Sequence, residues 1–229
     1  MSRVVFWNTQ RLGRDTDEAR REAIGAVLAD LQGDFTLVCE LTTACSFPPA
    51  QNLNYREENA AQLCYGAWTR EGYEVELTRM TPYVTTEYRE AALKGGGRFE
   101  NLASRALAYV GLARDVHVFV FHAPASGNAR KAVCHAACWL DEEYGRSGQK
   151  WLLVGDFNIT PEELATTQVG IDLDDFIHPT GIDTHVARNG TWRQLDYALS
   201  NVDLEIEPVA YHLWQGLSDH APIAIDFGT

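Results

Sequence analysis

An acid and an amide stand two positions apart where an apolar run ends, in the segment Trp-Leu-Leu-Val-Gly-Asp-Phe-Asn at 151–158. Residues i and i+2 of a strand share a face, so Asp156 and Asn158 are expected to point the same way from a strand's carboxyl end. We expect Asp156 to orient and deprotonate an attacking water, and Asn158 to hold that water or a phosphate oxygen. An ordinary turn is the alternative interpretation.

A histidine, His220, occurs in the motif Ser-Asp-His-Ala-Pro at 218–222, just before the last predicted strand. Histidine can shuttle a proton or, when charged, bind a phosphate oxygen, and a carboxylate partner would fix its tautomer and raise its pKa. Asp196 is the carboxylate in the otherwise apolar segment 195–199, where an unpaired charge would be costly. We therefore expect Asp196 to pair with His220, in a catalytic or a purely structural role.

His122 is a second histidine at a predicted strand end, after the segment 116–121. It is suited to contact the phosphate that is cleaved, and a satisfied core histidine is the alternative. Glu76 is its predicted carboxylate partner. Arg105, at the start of another predicted strand, is expected either to contact a phosphate or to form a surface salt bridge.

Two further polar residues, Asn8 and Glu40, end the first two predicted strands. Hydrolysis of a phosphodiester requires that water lose a proton, that phosphoryl charge be neutralised and that the leaving oxygen be stabilised. Magnesium meets the second need and typically takes only one or two protein carboxylates. We expect Glu40 to bind magnesium, or alternatively manganese or calcium, with Asn8 close by as a further ligand or a substrate contact. A solvated acid is the alternative for Glu40.

The elements that must position these side chains follow from hydrophobic periodicity. A strand at 4–8, a helix at 15–31 capped by Asp15 or Thr16 and a strand at 35–40 form a crossover unit. The other predicted elements are a loop and short helix at 42–62, a half-exposed strand at 74–80, a polar connection at 81–101, strands at 105–112 and 116–121, a helix at 128–144, a strand at 151–156, a short helix capped by Thr160, a hairpin turn at Asn189-Gly190, and strands at 195–200, 204–210 and 222–227.

This order predicts two packed mixed β-sheets with helices outside, and polar groups gathered at one rim where strand ends converge. A hydrophobic fraction of 45% over 229 residues supports a sizeable core, and we expect one domain spanning 1–229. The net charge of −13 counts against non-specific binding of nucleic acid. Acidic active-site residues and a metal could still perform nuclease chemistry locally.

The five cysteines include no Cys-x-x-Cys pair, which favours buried free thiols in a reducing compartment. A zinc site at Cys134 and Cys138 would need ligands that the sequence does not offer. No stretch is long and apolar enough to span a bilayer, and the N-terminus lacks signal-peptide features. We expect a cytoplasmic protein, with export by another route left open.

The blocks quoted above, together with Phe6-Trp7-Asn8 and Leu195-Asp196-Tyr197, resemble the endonuclease/exonuclease/phosphatase superfamily in their order along the chain. Within it, the segments 104–105 and 122–127 are most similar to the catalytic subunit of cytolethal distending toxin and to pancreatic-type deoxyribonuclease. The resemblance implies a four-layer α/β sandwich and magnesium-dependent phosphodiester cleavage. The segment 81–101 matches nothing that can be assigned, and the chain is shorter than those toxins.

The resemblance also implies roles for individual residues. Glu40 would bind the metal, and Asp219 would support the metal or His220. The phosphate-contacting arginine of those nucleases would correspond to Arg105. Both histidines, His122 and His220, would contact the phosphate that is cleaved. Asp156 and Asn158 would position the nucleophile and the phosphate.

The sequence leaves three functions open. The first is a magnesium-dependent endonuclease with DNA as its substrate. The second is a phosphatase or phosphodiesterase acting on phosphoinositides or small phosphoesters, which the acidic balance and the scarcity of lysine would suit. The third is a non-catalytic binding module that kept the fold, whose usual sign would be the loss of a catalytic acid or base.

Overall fold

Two six-stranded sheets form the centre of the protein, and a short two-stranded ribbon lies beside them. The computed structural model describes residues 1–13, 16–42, 54–57, 64–70, 73–82, 106–125, 127–167 and 171–228. The strands are β1 (Ser2–Asn8), β2 (Phe35–Leu41), β3 (Asn54–Glu57), β4 (Cys64–Thr69), β5 (Thr78–Met80), β6 (Leu107–Ala113), β7 (Val116–His122), β8 (Lys150–Asp156), β9 (Ile177–His178), β10 (His185–Val186), β11 (Trp192–Arg193), β12 (Asp196–Ser200), β13 (Leu204–Pro208) and β14 (Ile223–Phe227). The α-helices are α1 (Glu18–Leu31), α2 (Ala129–Glu143), α3 (Pro161–Ala165) and α4 (Tyr211–Trp214).

Both sheets are mixed, as predicted. The first, sheet I, has the strand order β13-β14-β1-β2-β4-β3, and sheet II has the order β5-β6-β7-β8-β12-β9. Each contains one parallel pair, β1 with β2 and β7 with β8, among antiparallel neighbours. Because the carboxyl ends of parallel strands meet at the same edge, each sheet gathers two strand ends at one rim.

The sheets pack face to face, and helices cover their outer faces. In β8, Leu152 and Val154 belong to the core between the sheets, while Trp151 and Leu153 pack with α2 on the other side. This alternation is the period of two that strands impose on their side chains. The outer face of sheet I is covered in the same way by α1 and α4. The predicted four-layer α/β sandwich, two packed mixed β-sheets flanked by helices, is confirmed.

The first helix begins one residue later than a cap at Thr16 would place it. The side chain of Asp17 is the N-cap and accepts a hydrogen bond from the backbone N–H of Ala19. The Thr16 hydroxyl oxygen instead accepts from the backbone N–H of Gly13 at 2.8 Å, so it is already used by the preceding turn. The other predicted cap, Asp15, lies outside the described residues.

Two predicted elements differ from the structure. Asn54–Glu57, inside the predicted loop and short helix, is a strand that pairs with β4 at the edge of sheet I. The predicted strand at 74–80 is reduced to Thr78–Met80, because Leu77 adopts a left-handed φ of 40° that interrupts extended backbone. Most of the predicted connection at 81–101 lies outside the described residues.

The predicted cap of the short helix after β8 is confirmed. Thr160 caps α3 with a full capping box to Glu163, and Pro161 stands at the first helical position. The hairpin predicted at Asn189-Gly190 joins β10 to β11. Its loop has three residues and not the predicted two, because the N–H of Ala187 donates to the carbonyl of Thr191 and only Gly190 within residues 188–190 has a positive φ, at 80°. Three of the cysteines, at positions 39, 134 and 138, are buried, and none of them forms a disulfide with another described cysteine. Among the described residues, the longest helices are too short or too polar to cross a membrane.

Candidate active site

Four of the predicted site residues lie at strand ends on one rim. Asn8 ends β1 and Glu40 stands next to the end of β2, while His122 ends β7 and Asp156 ends β8. Asn8 and Asp156 join the two sheets through a hydrogen bond from Asn8 Nδ2 to Asp156 Oδ2 at 2.9 Å. The structure therefore brings residues that are 148 positions apart to one point between the sheets.

Gly155 explains how Asp156 reaches this position. A Cβ atom at Gly155 would collide with the backbone carbonyl of Phe121, the residue opposite it in the parallel pair β7–β8. Only glycine allows the two strands to approach this closely. The close approach places His122 and Asp156 side by side at the rim.

The buried carboxylate of Asp156 is the centre of the site. Its Oδ2 atom lies 3.4 Å from Nε2 of His122 and 3.6 Å from Nε2 of His220. Its Oδ1 atom accepts the backbone N–H of Asn158 at 3.0 Å. Burial alone would raise the pKa of Asp156, but the charges of His220 and His122 and the hydrogen bond from Asn8 hold that pKa below its usual value. The group is therefore an ionised carboxylate at neutral pH.

His220 lies between two buried carboxylates. Its Nδ1 atom is 2.8 Å from Oδ2 of Asp196, which is the predicted pairing, and its Nε2 atom faces Asp156. Burial alone would lower the pKa of His220, but the charges of Asp196 and Asp156 outweigh it and raise that pKa to about 10. Burial raises the pKa of Asp196 to about 6 against the opposing charge of His220. At neutral pH the imidazolium form therefore dominates.

Thr184 holds this pair in place and was not found in the sequence. Its hydroxyl oxygen accepts the backbone N–H groups of Leu195 and Asp196 at 3.0 and 2.8 Å. Its carbonyl accepts the N–H of Ala221, next to His220, at 2.6 Å. A threonine in a short irregular segment carries no periodic signal, so the sequence offered no clue to its role. The clue is its full burial, which only the structure reveals.

His122 has different partners from the one predicted. Its backbone N–H donates to the hydroxyl of Tyr65 at 2.8 Å, and its Nε2 atom lies 3.5 Å from Oε1 of Glu40 as well as 3.4 Å from Asp156. The prediction of Glu76 is wrong, because Glu76 lies beside Val110 in the middle of β6, away from the end of β7. The partner carboxylates come from β2 and β8.

Several rim residues have left-handed backbone. Glu40 has a φ of 59° at a bulge where the pairing of β2 with β4 shifts, and Asn158 has a φ of 51°. Gln10 and Arg11, just after Asn8, are also left-handed, at 46° and 59°. Such backbone costs free energy in non-glycine residues and is concentrated at functional sites. Here it turns the chain at the strand ends that carry the polar groups.

The remaining predicted residues have definite places. Asn158 donates from Nδ2 to the carbonyl of Ala123 at 2.9 Å, which fixes its amide beside the end of β7. Asp219 is partly exposed, accepts from Nε2 of Gln10 at 2.9 Å and has its Oδ1 atom 4.0 Å from Nε2 of His220. Arg105 lies outside the described residues, so its predicted phosphate contact stays a prediction.

The donor atoms at the rim fit a divalent cation that prefers oxygen. The carboxylates of Glu40 and Asp156 both approach one nitrogen of His122, and the Oδ1 atom of Asn8, which accepts from Gln10 at 3.0 Å, retains a second lone pair. Carboxylate and amide oxygens are preferred by magnesium and manganese. The Glu40 carboxylate is partly exposed, so an ion could reach it from solvent.

A second group could also hold a metal. Asp156, Asp196 and His220 offer ligand atoms within 4.8 Å of one another. An ion bound to Nδ1 of His220 would have to displace the hydrogen bond to Asp196. The side of the site near Glu40 offers oxygen donors without breaking that bond, and we regard it as the better place for a hard cation.

His185 also belongs to this site, although no sequence motif singled it out. Its ring centroid lies 4.5 Å from that of His220, and the two residues form a backbone bridge. The next residue, Val186, donates its N–H to the carbonyl of Asp219 at 2.9 Å. The ribbon β10–β11 is thereby attached directly to the segment that carries His220.

The chain belongs to the Endonuclease/Exonuclease/phosphatase family, whose sequence model matches residues 5–220. Members of this family are metal-dependent phosphoesterases and nucleases. No curated protein matches the sequence significantly.

Several solved structures share the fold of this chain at low sequence identity. The Haemophilus ducreyi cytolethal distending toxin is 17% identical, with a TM-score of 0.62 over 98% of this chain and 97% of that chain. A humanized D. rerio TDP2 is 15% identical, with a TM-score of 0.65 over 100% and 99%. The human Nocturnin catalytic domain, solved with a bound sulfate anion, is 14% identical, with a TM-score of 0.61 over 99% and 94%. At these identities the likeness shows the fold.

Proposed function

We propose that this protein is a magnesium-dependent phosphodiesterase that cleaves DNA internally. The observation that carries the proposal is the position of Asp156. One ionised, buried carboxylate lies beside two histidine Nε2 atoms, at 3.4 and 3.6 Å, and beside the amide of Asn8. These are the groups required to activate a water molecule and to bind a phosphoryl group at one point.

In this proposal Asp156 orients the attacking water and takes its proton. The hydrogen bonds from Asn8 and from the backbone of Asn158 hold the carboxylate still, so it need not reorganise as the proton moves. Asn158 faces the same space, where its amide would hold the water or a phosphoryl oxygen. A carboxylate with a lowered pKa is a weak base, so its contribution comes mainly from position and charge.

His220 binds the phosphoryl oxygens as a cation. Its raised pKa keeps it protonated at neutral pH, which makes it unsuitable as a base in the free enzyme and suitable for stabilising negative charge. His122, on the other side of Asp156, provides a second donor from the end of the neighbouring strand β7. Of the two roles open for His220 from the sequence, the geometry supports phosphate binding.

Glu40 and Asn8, with support from Asp219, would hold the divalent cation. When bound, the cation neutralises phosphoryl charge and stabilises the leaving oxygen. The oxygen-rich donor set supports magnesium, with manganese as the closest substitute.

The motif resemblance of segment 122–127 to deoxyribonucleases supports DNA as the substrate. The net charge of −13 favours the alternative, a phosphatase or phosphodiesterase acting on phosphoinositides or small phosphoesters, because such substrates need no extended basic surface. Nicking of supercoiled plasmid, compared with turnover of phosphoinositides and nucleotide monoesters, separates the two. Headgroup turnover with intact plasmid would favour the alternative.

The direct test is plasmid nicking in magnesium by the parent and by Asp156→Asn. We expect chelation or the substitution to abolish nicking, and Asp30→Asn, on the exposed face of α1, to serve as the matched control with parental activity. Equal nicking by parent and Asp156→Asn would show that the assigned role is wrong. Absence of turnover on every phosphoester, with metal still bound, would indicate a non-catalytic binding module.

A further inference from the structure

The ribbon β10–β11 presents one of its two faces to the site. In an antiparallel pair, directly opposed residues share a face, and the register pairs His185 with Arg193 and Val186 with Trp192. His185 contacts the ring of His220, so the face that it shares with Arg193 is the one directed toward the reaction centre. The other face, with Trp192, packs on the rings of Tyr211 and Trp214.

Arg193 is held at this face by a carboxylate from the first turn of helix α3, which follows β8. Its Nη2 atom lies 2.7 Å from Oε2 of Glu163, and the same oxygen accepts the backbone N–H of Thr160 at 3.2 Å. Thr160 follows Asn158 by two residues. The guanidinium therefore lies between the ribbon and the loop that carries Asn158, at the same edge of sheet II as the site.

The guanidinium of Arg193 also has hydrogen-bond donors that are available for a ligand. A guanidinium has five N–H donors. Among the described residues, the side chain of Arg193 donates one hydrogen bond, from Nη2 to Glu163. Both side chains are exposed, 40% for Arg193 and 49% for Glu163, and exposed pairs of this kind contribute little to stability. A phosphate could therefore bind the free edge, or replace the carboxylate, at small cost.

The charge pattern of the ribbon supports an anionic ligand. Segment 184–195 contains Arg188 and Arg193 and no acidic residue, in a chain whose net charge is −13. Arg188 is exposed at the turn of the ribbon. Arginine is the side chain best matched to phosphate geometry, so the ribbon is a local basic arm next to a site for phosphoryl groups.

We propose that Arg193, on the His185 face of the ribbon, binds a second phosphate of a polynucleotide strand, next to the one that is cleaved. The inference deepens the proposed function and rests on it. It assigns Arg193 as a specificity-determining residue: substrates with a neighbouring phosphodiester gain this contact, and substrates with one isolated phosphodiester do not.

The test compares two substrates in magnesium, a single-stranded oligothymidylate and bis(p-nitrophenyl) phosphate, which has one phosphodiester and no neighbour. For Arg193→Gln we expect KM on the oligonucleotide to rise roughly tenfold, as for the loss of a charged hydrogen bond, with kcat within about twofold. Turnover of bis(p-nitrophenyl) phosphate should stay at the parental level. Arg114→Gln, in the turn at the opposite end of β7 from His122, is the charge-matched control and should leave both substrates unaffected.

Binding is measured separately, so that failure of the inference and failure of the proposed function are distinguishable. The affinity for a labelled oligothymidylate in calcium should fall in Arg193→Gln, and the salt slope of log affinity should become shallower by about one. Glu163→Gln, which frees the guanidinium, should retain or increase the affinity. Three results would each overturn the assignment. Arg193→Gln could bind the oligonucleotide with parental affinity and salt slope, it could lose activity equally on both substrates, or its loss of affinity could be confined to an inositol polyphosphate.

Discussion

The Nδ1 atom of His220 lies 2.8 Å from Oδ2 of Asp196, and both side chains are buried. This contact contributes to the protonation state of His220 at neutral pH. A buried histidine on its own would be neutral, whereas the charge of Asp196, added to that of Asp156, keeps His220 protonated. The site thereby holds a positive charge beside Asp156, the carboxylate to which we assign the attacking water.

The pairing predicts a specific pH dependence. His220 has a pKa of about 10, so its charged form, to which we assign phosphate binding, dominates below that pH, and kcat/KM should decline as the pH rises through about 10. Replacing the charge in Asp196→Asn should lower the pKa of His220 and move this alkaline decline toward neutral pH. Rate profiles between neutral and alkaline pH measure the shift, and an unmoved profile would contradict the role given to Asp196.

Removing the imidazolium should reduce turnover. We expect His220→Gln to lower kcat by about 100- to 1,000-fold, the cost of losing one donor to developing negative charge, with the metal still bound. Steady-state kinetics on plasmid or oligonucleotide measure the effect. His212→Gln, on the exposed helix α4, is the matched control, and similar rates for the two variants would rule out the assignment.

Thr184 should support both stability and activity. In Thr184→Val the shape is kept, but the N–H groups of Leu195 and Asp196 lose their acceptor. Leaving buried donors unsatisfied costs roughly 1–3 kcal/mol, so the free energy of unfolding should fall by that order. Denaturant unfolding measures the cost, and Thr184→Ser, which keeps the hydroxyl, should recover most of it. No recovery would mean that the methyl group, and not the hydroxyl, matters here.

Gly155 should tolerate no side chain. A methyl group there meets the backbone of Phe121, which cannot move without separating β7 from β8, and overpacking typically costs about 1–3 kcal/mol. We expect Gly155→Ala to be less stable by at least that amount and to lose activity, because Asp156 is displaced. Gly127→Ala, where a Cβ would meet nothing within 4 Å, is the control. Equal unfolding midpoints would contradict the close packing described above.

The sequence predicted those parts of the site that depend on local residue patterns. An apolar run that ends in Gly-Asp predicts a strand with Asp156 at its end, and a lone acid in an apolar strand predicts a buried partner for Asp196. The expectation that Asn158 shares a strand face with Asp156 is wrong, because β8 ends at Asp156 and Asn158 has left-handed backbone. These patterns need only the period of a strand. The fold class followed from the order of such elements along the chain.

The parts of the site that the sequence could not predict depend on contacts between distant segments. Glu76 was the wrong partner for His122 because the true neighbours, Glu40 and Asp156, come from the other sheet and from the adjacent strand. His185 and Thr184 lie in and beside a two-residue strand, which is too short to carry a hydrophobic period. Their roles became visible only when the ribbon was seen next to His220.

The central claim is that one cation binds at the oxygen donors near Glu40 and that Asp156 and His220 face the same phosphate. The most direct measurement is anomalous X-ray scattering from crystals soaked with manganese and a non-hydrolysable thymidine dinucleotide analogue. We predict a manganese peak at the carboxylate of Glu40, with the analogue's phosphate between it and Nε2 of His220, and loss of that peak in Glu40→Gln. A peak between Asp196 and His220, or a phosphate bound away from Asp156, would contradict the account.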